Sequence, residues 1–237
     1  MPNPYFKFKQ FTIFHDRCAM KVGTDGVLLG AWANINNCRT GLDIGTGSGL
    51  IALMLAQRSK DISIEAIDIE SSAIEQAMIN VKPTNFAQRI NCTEISLQNF
   101  HLKTKMQYDL IISNPPFFSQ SLKSSNAARS AARHTDSLQM GELIKISSTL
   151  LSKNGRLSMI YPFDYKAGIL DRAKENGLFI TRYTNVYPTK MSNPKRILVE
   201  ISRDESRLVE SDLVIETERH KYSDEFTQLV KDFYLNM

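Results

Sequence analysis

Asn114-Pro115-Pro116-Phe117 closes an apolar run, YDLIISN at 108–114. Two consecutive prolines end a strand's hydrogen-bond ladder and leave an extended, stiff turn. Such a turn holds the Asn114 side chain and the Asn114 and Pro115 carbonyls in one rigid cup, with Phe117 at its rim. The chemistry that needs a cup of this kind is attack by a planar nitrogen. An exocyclic amine or amide delocalises its lone pair and is a poor nucleophile. If the Asn114 side-chain oxygen and the Pro115 carbonyl accept its two N–H groups, the nitrogen can pyramidalise and present that lone pair, while Phe117 stacks on the flat acceptor. No strong base is required, and catalysis is mostly positioning. Asn114, Pro115, Pro116 and Phe117 are therefore the candidate catalytic residues.

A second constellation lies upstream, at Leu42-Asp43-Ile44-Gly45-Thr46-Gly47-Ser48-Gly49, where an apolar strand meets an apolar helix. Ligands of open α/β sheets bind at the carboxyl ends of strands, and such a turn is their usual floor. A dinucleotide fingerprint demands GxGxxG. Here its third glycine position is Leu50, and the spacing is GxGxG. Asp43, two residues before the first glycine, is read as pointing its charge at the ligand, which disfavours a pyrophosphate and suits an ammonium or sulfonium group. S-adenosylmethionine is thus favoured over NAD, on Asp43, Gly45, Gly47 and Gly49. Asp68 ends the next apolar run near the offset of roughly 20 residues expected of a ribose-binding acid. Glu70 is the near alternative, and Glu94, ending a third strand, can accept from an adenine amino group.

The elements that must position these residues alternate along the chain. Strand-like runs at 41–45, 62–68, 89–95, 108–114 and 156–162 are separated by helical patterns at 50–57, 71–81 and near 138–151. A helix near 165–176 and strands near 178–187 and 196–202 follow. The rhythm predicts an α/β fold with a doubly wound, Rossmann-like sheet, mostly parallel with an antiparallel edge strand. Residues 1–35 differ: a short hairpin and a turn at Gly23–Gly26 feeding a helix read as a lid or pre-domain element packed on the core, residues 36–237. Trp32 reads as core, and Asp16-Arg17 as a local ion pair.

The 237 residues are 42% hydrophobic and 23% charged, which excludes a disordered or fibrous chain. No apolar run approaches the roughly 20 residues of a membrane helix, and the N-terminus lacks a secretory layout. Three cysteines, far apart, argue against a disulfide framework or zinc site and for a reducing cytoplasm. The four histidines are scattered, so no metal is expected. A net charge of +4 permits nucleic acid without demanding it. Its distribution says more. Lys123, Arg129, Arg133 and His134 follow the proline turn with no carboxylate until Asp136, and Lys190, Lys195 and Arg196 cluster further on. These residues form the candidate RNA-binding set. A base in structured RNA must be turned out before its amino group is reached.

LDIGTGSG, the AID strand end and NPPF, in this order, resemble the class I S-adenosylmethionine-dependent methyltransferases of the amino-group type. FKFKQFTIFHDRCAMKVGTDGVLLGAW (6–32), SNPPFF (113–118), ARHTDSL (132–138) and NPKRILVE (193–200) resemble, within them, the bacterial enzymes that methylate N6 of adenine 37 in valine tRNA. The resemblance covers nearly the whole chain. It implies a class I methyltransferase sheet, cofactor roles for Gly45, Asp68 and Glu94, and a Lys21–Thr24–Asp25 segment beside the methionine end of S-adenosylmethionine. The implied partner is tRNA, with no membrane and no required oligomer. Two departures stand out: Phe117 where relatives often carry Tyr, and Glu94 where Asp is common. Other acceptors sharing the reaction are an rRNA guanine N2, a DNA adenine N6 and a protein glutamine N5.

Overall fold

Runs rich in β-branched residues and leucine become one mixed nine-stranded sheet in the computed structural model, which describes residues 3–18, 21–116 and 139–237. A separate hairpin, β1 (Tyr5–Lys7) and β2 (Thr12–Phe14), precedes helix α1 (Thr24–Trp32). The first half of the sheet then alternates strand and helix: β3 (Thr40–Ile44), α2 (Leu50–Arg58), β4 (Ser63–Asp68), α3 (Ser71–Val81), β5 (Ile90–Glu94), α4 (Leu97–Lys103) and β6 (Tyr108–Ser113). The second half carries α5 (Met140–Leu150), β7 (Leu151–Pro162), α6 (Lys166–Glu175), β8 (Phe179–Thr189), β9 (Arg196–Ser202), β10 (Val209–Glu218), β11 (Lys221–Tyr222) and α7 (Asp224–Val230).

The strand order is β11-β10-β8-β9-β7-β6-β3-β4-β5. From β5 to β7 every pairing is parallel, and β9 runs antiparallel to both β7 and β8. The antiparallel pair expected at 178–187 and 196–202 is therefore present. Beyond it the sheet continues, with β10 parallel to β8 and β11 antiparallel to β10. Helices cover both faces, as a doubly wound sheet requires. Leu110 and Ile112 of β6 pack with α1 and α2, whereas Ile111 joins Leu143 and Ile144 of α5 beneath the opposite face.

The N-terminal segment packs directly into this core. In α1, residues Gly26 to Trp32 are all buried. Trp32 donates from Nε1 to Thr184 Oγ1 at 2.8 Å, and the Arg182 guanidinium lies 3.6 Å from its ring centroid. Arg17 pairs with Glu75 of α3 at 3.1 Å, which corrects the local Asp16-Arg17 pair expected from adjacency: the partner comes from a different element. Close approach of α1 to α2 depends on two small residues one turn apart. A Cβ at Gly30 would stand 2.7 Å from Met54 Sδ and 3.1 Å from Met54 Cβ, and one at Gly26 would stand 3.1 Å from Leu50 Cδ2. Overpacking of this kind costs typically ~1–3 kcal/mol. Gly30→Val is expected to lower stability by about that amount in urea denaturation; an unchanged midpoint would show that α1 can slide on α2.

Candidate active site

Parallel pairing in register delivers the site residues to one edge of the sheet. Asp68 pairs with Glu94, Ile44 with Ile67, and Ile44 with Ser113, so the carboxyl ends of β5, β4, β3 and β6 stand side by side. The turn after β3 is built by glycine. Gly45, Gly47 and Gly49 have φ of 70°, 56° and 78°, the left-handed region where a Cβ is strained. Among the described residues a Cβ at Gly45 or Gly47 would meet nothing within 4 Å, and at Gly49 it would meet Ala77 at 3.3 Å. The first two glycines thus offer bare backbone to a ligand, and the third seats the turn on α3.

Asp68 serves this turn as well as any ligand. Its Oδ2 accepts the Gly47 N–H at 2.9 Å and its Oδ1 accepts the Glu70 N–H at 3.0 Å. The amides of Gly45 and Thr46 both donate to the Ile67 carbonyl, at 2.9 and 3.0 Å. The end of β4 therefore sets the shape of the turn after β3. Asp68 remains half-buried, and Glu94 beside it is exposed.

Asp43 lies elsewhere than its spacing suggested. Its side chain is fully buried beneath the turn, where Oδ2 accepts the Thr46 hydroxyl at 2.7 Å. Period-two alternation explains this: Leu42 and Ile44 take one face of the sheet, and Asp43 is turned into the other. Its carboxyl braces the turn from within instead of facing the ligand directly. Burial pushes the carboxyl up to about 7, against hydrogen bonds from the Thr46 hydroxyl and the Ala52 backbone N–H. An aspartate in the unfolded chain titrates near ~3.9. The stability tied to protonated Asp43 is therefore full below that value and is lost as pH rises through about 7. Relative to wild type, Asp43→Asn is expected to gain roughly 2–3 kcal/mol between about pH 5 and pH 8 in urea denaturation. A flat difference would show that Asp43 is ionised throughout.

The proline turn follows β6 directly. The Ser113 hydroxyl donates to the Ile44 carbonyl at 2.9 Å, tying the end of β6 to the end of β3. Asn114 is half-buried, Pro115 buried and Pro116 exposed. A Cβ at Gly26 would be 3.9 Å from Asn114 Nδ2, so the first turn of α1 flanks the catalytic candidate. Phe117, Lys123, Arg129, Arg133 and His134 lie outside the described residues.

Thr24 and Asp25, expected beside the cofactor, meet Lys195 and Arg196, expected at RNA. Arg196 Nε approaches Asp25 Oδ2 at 2.8 Å, and all four residues line one cleft of ≈ 320 Å³, with Leu28 and Pro188 among its apolar walls. The two sets share a wall through a contact spanning the chain, for which the sequence carries no local signal. Lys21 and Lys190 are exposed, Lys190 in the turn after β8. Among the described residues, no His, Cys, Asp and Glu group is arranged to hold a metal ion.

A β5-β4-β3-β6-β7 parallel core followed by an antiparallel β9, with a glycine turn after β3, defines the class I methyltransferase fold. The fold is shared with the crystal structure of a predicted O-methyltransferase from Agrobacterium tumefaciens, at a TM-score of 0.67 and 21% identity over 88% of this chain and 96% of that one. It is also shared with the ribosomal protein L11 methylase of Lactobacillus delbrueckii subsp. bulgaricus, at a TM-score of 0.54 and 20% identity over 76% and 77% of the two chains. The methyltransferase small domain model matches residues 22–167. Over the full length of both chains, the sequence is 49% identical to the tRNA1(Val) (adenine(37)-N6)-methyltransferase of Parabacteroides distasonis and 48% identical to that of Phocaeicola vulgatus. The chain belongs to the methyltransferase small domain family, within the group of these tRNA1(Val) (adenine(37)-N6)-methyltransferases.

Proposed function

We propose that the protein transfers a methyl group from S-adenosylmethionine to N6 of adenine 37 in the anticodon loop of valine tRNA. One observation carries the chemistry: the glycine turn after β3 and the Asn-Pro-Pro turn after β6 stand on adjacent strands, joined by the Ser113–Ile44 bond. The acceptor is supported by relatives of that name, 43–49% identical over the whole chain.

The residues suit the cofactor. Among the described residues Gly45 and Gly47 leave open backbone, Asp68 offers carboxylate oxygens to a ribose, and the Asp43 carboxyl lies buried under the turn that would hold a cation. When bound, S-adenosylmethionine supplies an activated methyl group. In this reading Asn114 and the Pro115 carbonyl accept the adenine amino N–H groups, and Phe117 stacks on the base. Gly49 and Glu94 complete the cofactor side, and Lys21 stands at its rim. The basic side chains of Lys190, Lys195 and Arg196, with Lys123, Arg129, Arg133 and His134 from the sequence, serve the phosphates. The first 35 residues flank the acceptor entrance, and the enzyme works in the cytoplasm.

Methyl transfer from labelled cofactor to total tRNA of a strain lacking this protein tests the reading, with the product nucleoside mapped by mass. N6-methyladenosine at position 37 of valine tRNA is the expected product. N2-methylguanosine, or methyl label on protein, would overturn the acceptor, and absence of cofactor binding by calorimetry would overturn the class.

A further inference from the structure

Asn80 is fully buried on α3, yet it takes no part in the chemistry described above. Its amide ties two distant segments together. Oδ1 accepts the Phe14 N–H at 2.9 Å, while Nδ2 donates to the Phe14 carbonyl at 2.8 Å and to the Ser48 carbonyl at 2.9 Å. The partners fix which way the amide points, since two carbonyls need N–H donors and one N–H needs an oxygen. Ser48 lies in the glycine turn, and Phe14 ends β2. Asparagine is well suited here because a side chain of its length offers both polarities at once.

The neighbours extend the attachment. One turn earlier on α3, the buried Gln76 accepts the Arg17 N–H at 3.1 Å, and Glu75 pairs with the Arg17 guanidinium. The buried His15 ring accepts the Val22 N–H at Nδ1, 3.5 Å away, and its Nε2 stands 3.0 Å from the Asn3 carbonyl. Gly26, a few residues on, flanks Leu50 and Asn114. Residues 14–18 and 21–26 thus form a strap whose first end is tied through Asn80 to the glycine turn and whose second end, Gly26, lies beside the Asn114 side chain.

We propose that Asn80 is a positioning residue for methyl transfer, holding the strap and the glycine turn in one register so that cofactor and acceptor cradles face each other correctly. The inference rests on the function proposed above. Substitution by alanine strips the buried Ser48 carbonyl and the two part-buried backbone groups of Phe14 of this partner, and the strap then shifts relative to Ser48. A misplacement of about 1 Å in such a system can lower the rate by ~10²-fold.

The test compares Asn80→Ala and Asn80→Asp with Ile62→Val, a core change at the opposite end of β4 from the glycine turn. Asp keeps the acceptor for Phe14 N–H but sets a carboxylate against two carbonyls. In the ligand-free protein, hydrogen exchange at the Phe14 and Arg17 amides is expected to speed up at least about tenfold in both Asn80 variants, with β3 and β6 still protected. Calorimetry should show cofactor affinity weakened about tenfold, and turnover at saturating substrates should fall by about 10–100-fold. Ile62→Val should leave all three readouts at wild-type values. If Asn80→Ala fails to fold, Asn80→Ser, which keeps a hydroxyl able to donate and accept, replaces it. A folded variant with unchanged exchange, affinity and turnover overturns the proposal, and so does an equal response in Ile62→Val. A wild-type protein that binds no S-adenosylmethionine refutes the proposed function instead, and the exchange comparison still judges the strap.

Discussion

Replacing Asn114 by alanine is expected to cut turnover by about 10²–10³-fold, the range for losing one preorganised hydrogen-bonding group at a reacting centre. Cofactor affinity should stay within a few-fold of wild type. The separation follows from where the residue sits. Among the described residues the fold-holding bond at this point is made by Ser113, whose hydroxyl reaches the Ile44 carbonyl, and the glycine turn is braced by Asp68 and Asn80. Asn114 is left half-buried at the end of β6, with its amide beside the first turn of α1. On the function proposed above, its removal takes away an acceptor for the substrate amine without loosening the turn that would hold the methyl donor. Single-turnover kinetics on valine tRNA, paired with calorimetry of the cofactor, separate the two quantities. Loss of both together would make Asn114 a structural residue.

Asp68→Ala carries the second large effect, on cofactor binding. The carboxylate accepts from Gly47 and Glu70 at 2.9 and 3.0 Å, and its remaining lone pairs are the candidates for the ribose hydroxyls. Hydrogen bonds to a charged group contribute roughly 1.5–3 kcal/mol each, and ~1.4 kcal/mol is a factor of ten in affinity. Losing the ribose contacts and releasing the Gly47 amide should weaken cofactor binding by about 10²-fold or more. Asp68→Asn should recover little, because its NH2 group faces a backbone N–H or a ligand hydroxyl where an acceptor is needed. Calorimetric affinities within threefold of wild type would reduce Asp68 to a brace for the turn.

Residues that dictate their own backbone were the legible ones. The glycines of 45–49 and the prolines of 115–116 act locally, so their turns, the strand before each and the alternating sheet follow from the sequence. Side-chain direction was less accessible. Asp43 was recognisable as an acid next to a glycine turn, but only pairing with β4 and β6 shows it turned beneath the turn into the core. Long-range partners left no trace: Asp25 and Arg196 meet across most of the chain. Asn80 did leave a signal, because it shares the buried face of α3 with Ala73, Ala77 and Val81, where a polar residue asks for partners. Strands β10 and β11 escaped because VESDLVIETE buries only Leu213 deeply and carries little of the alternation that marks a half-buried strand.

The Ser113–Ile44 bond has a consequence for how such an enzyme can diversify. Because neighbouring strands lie ~4.8 Å apart, and this bond pins their ends, the proposed function has the spacing between methyl donor and receiving amine inherited from the sheet itself. Changes of substrate need not touch it. They can be confined to the attachments around the rim, such as the N-terminal hairpin, the cleft of Asp25 and Arg196, and the added strands β10 and β11. The reaction is the invariant, and the choice of molecule that receives the methyl group is free to drift.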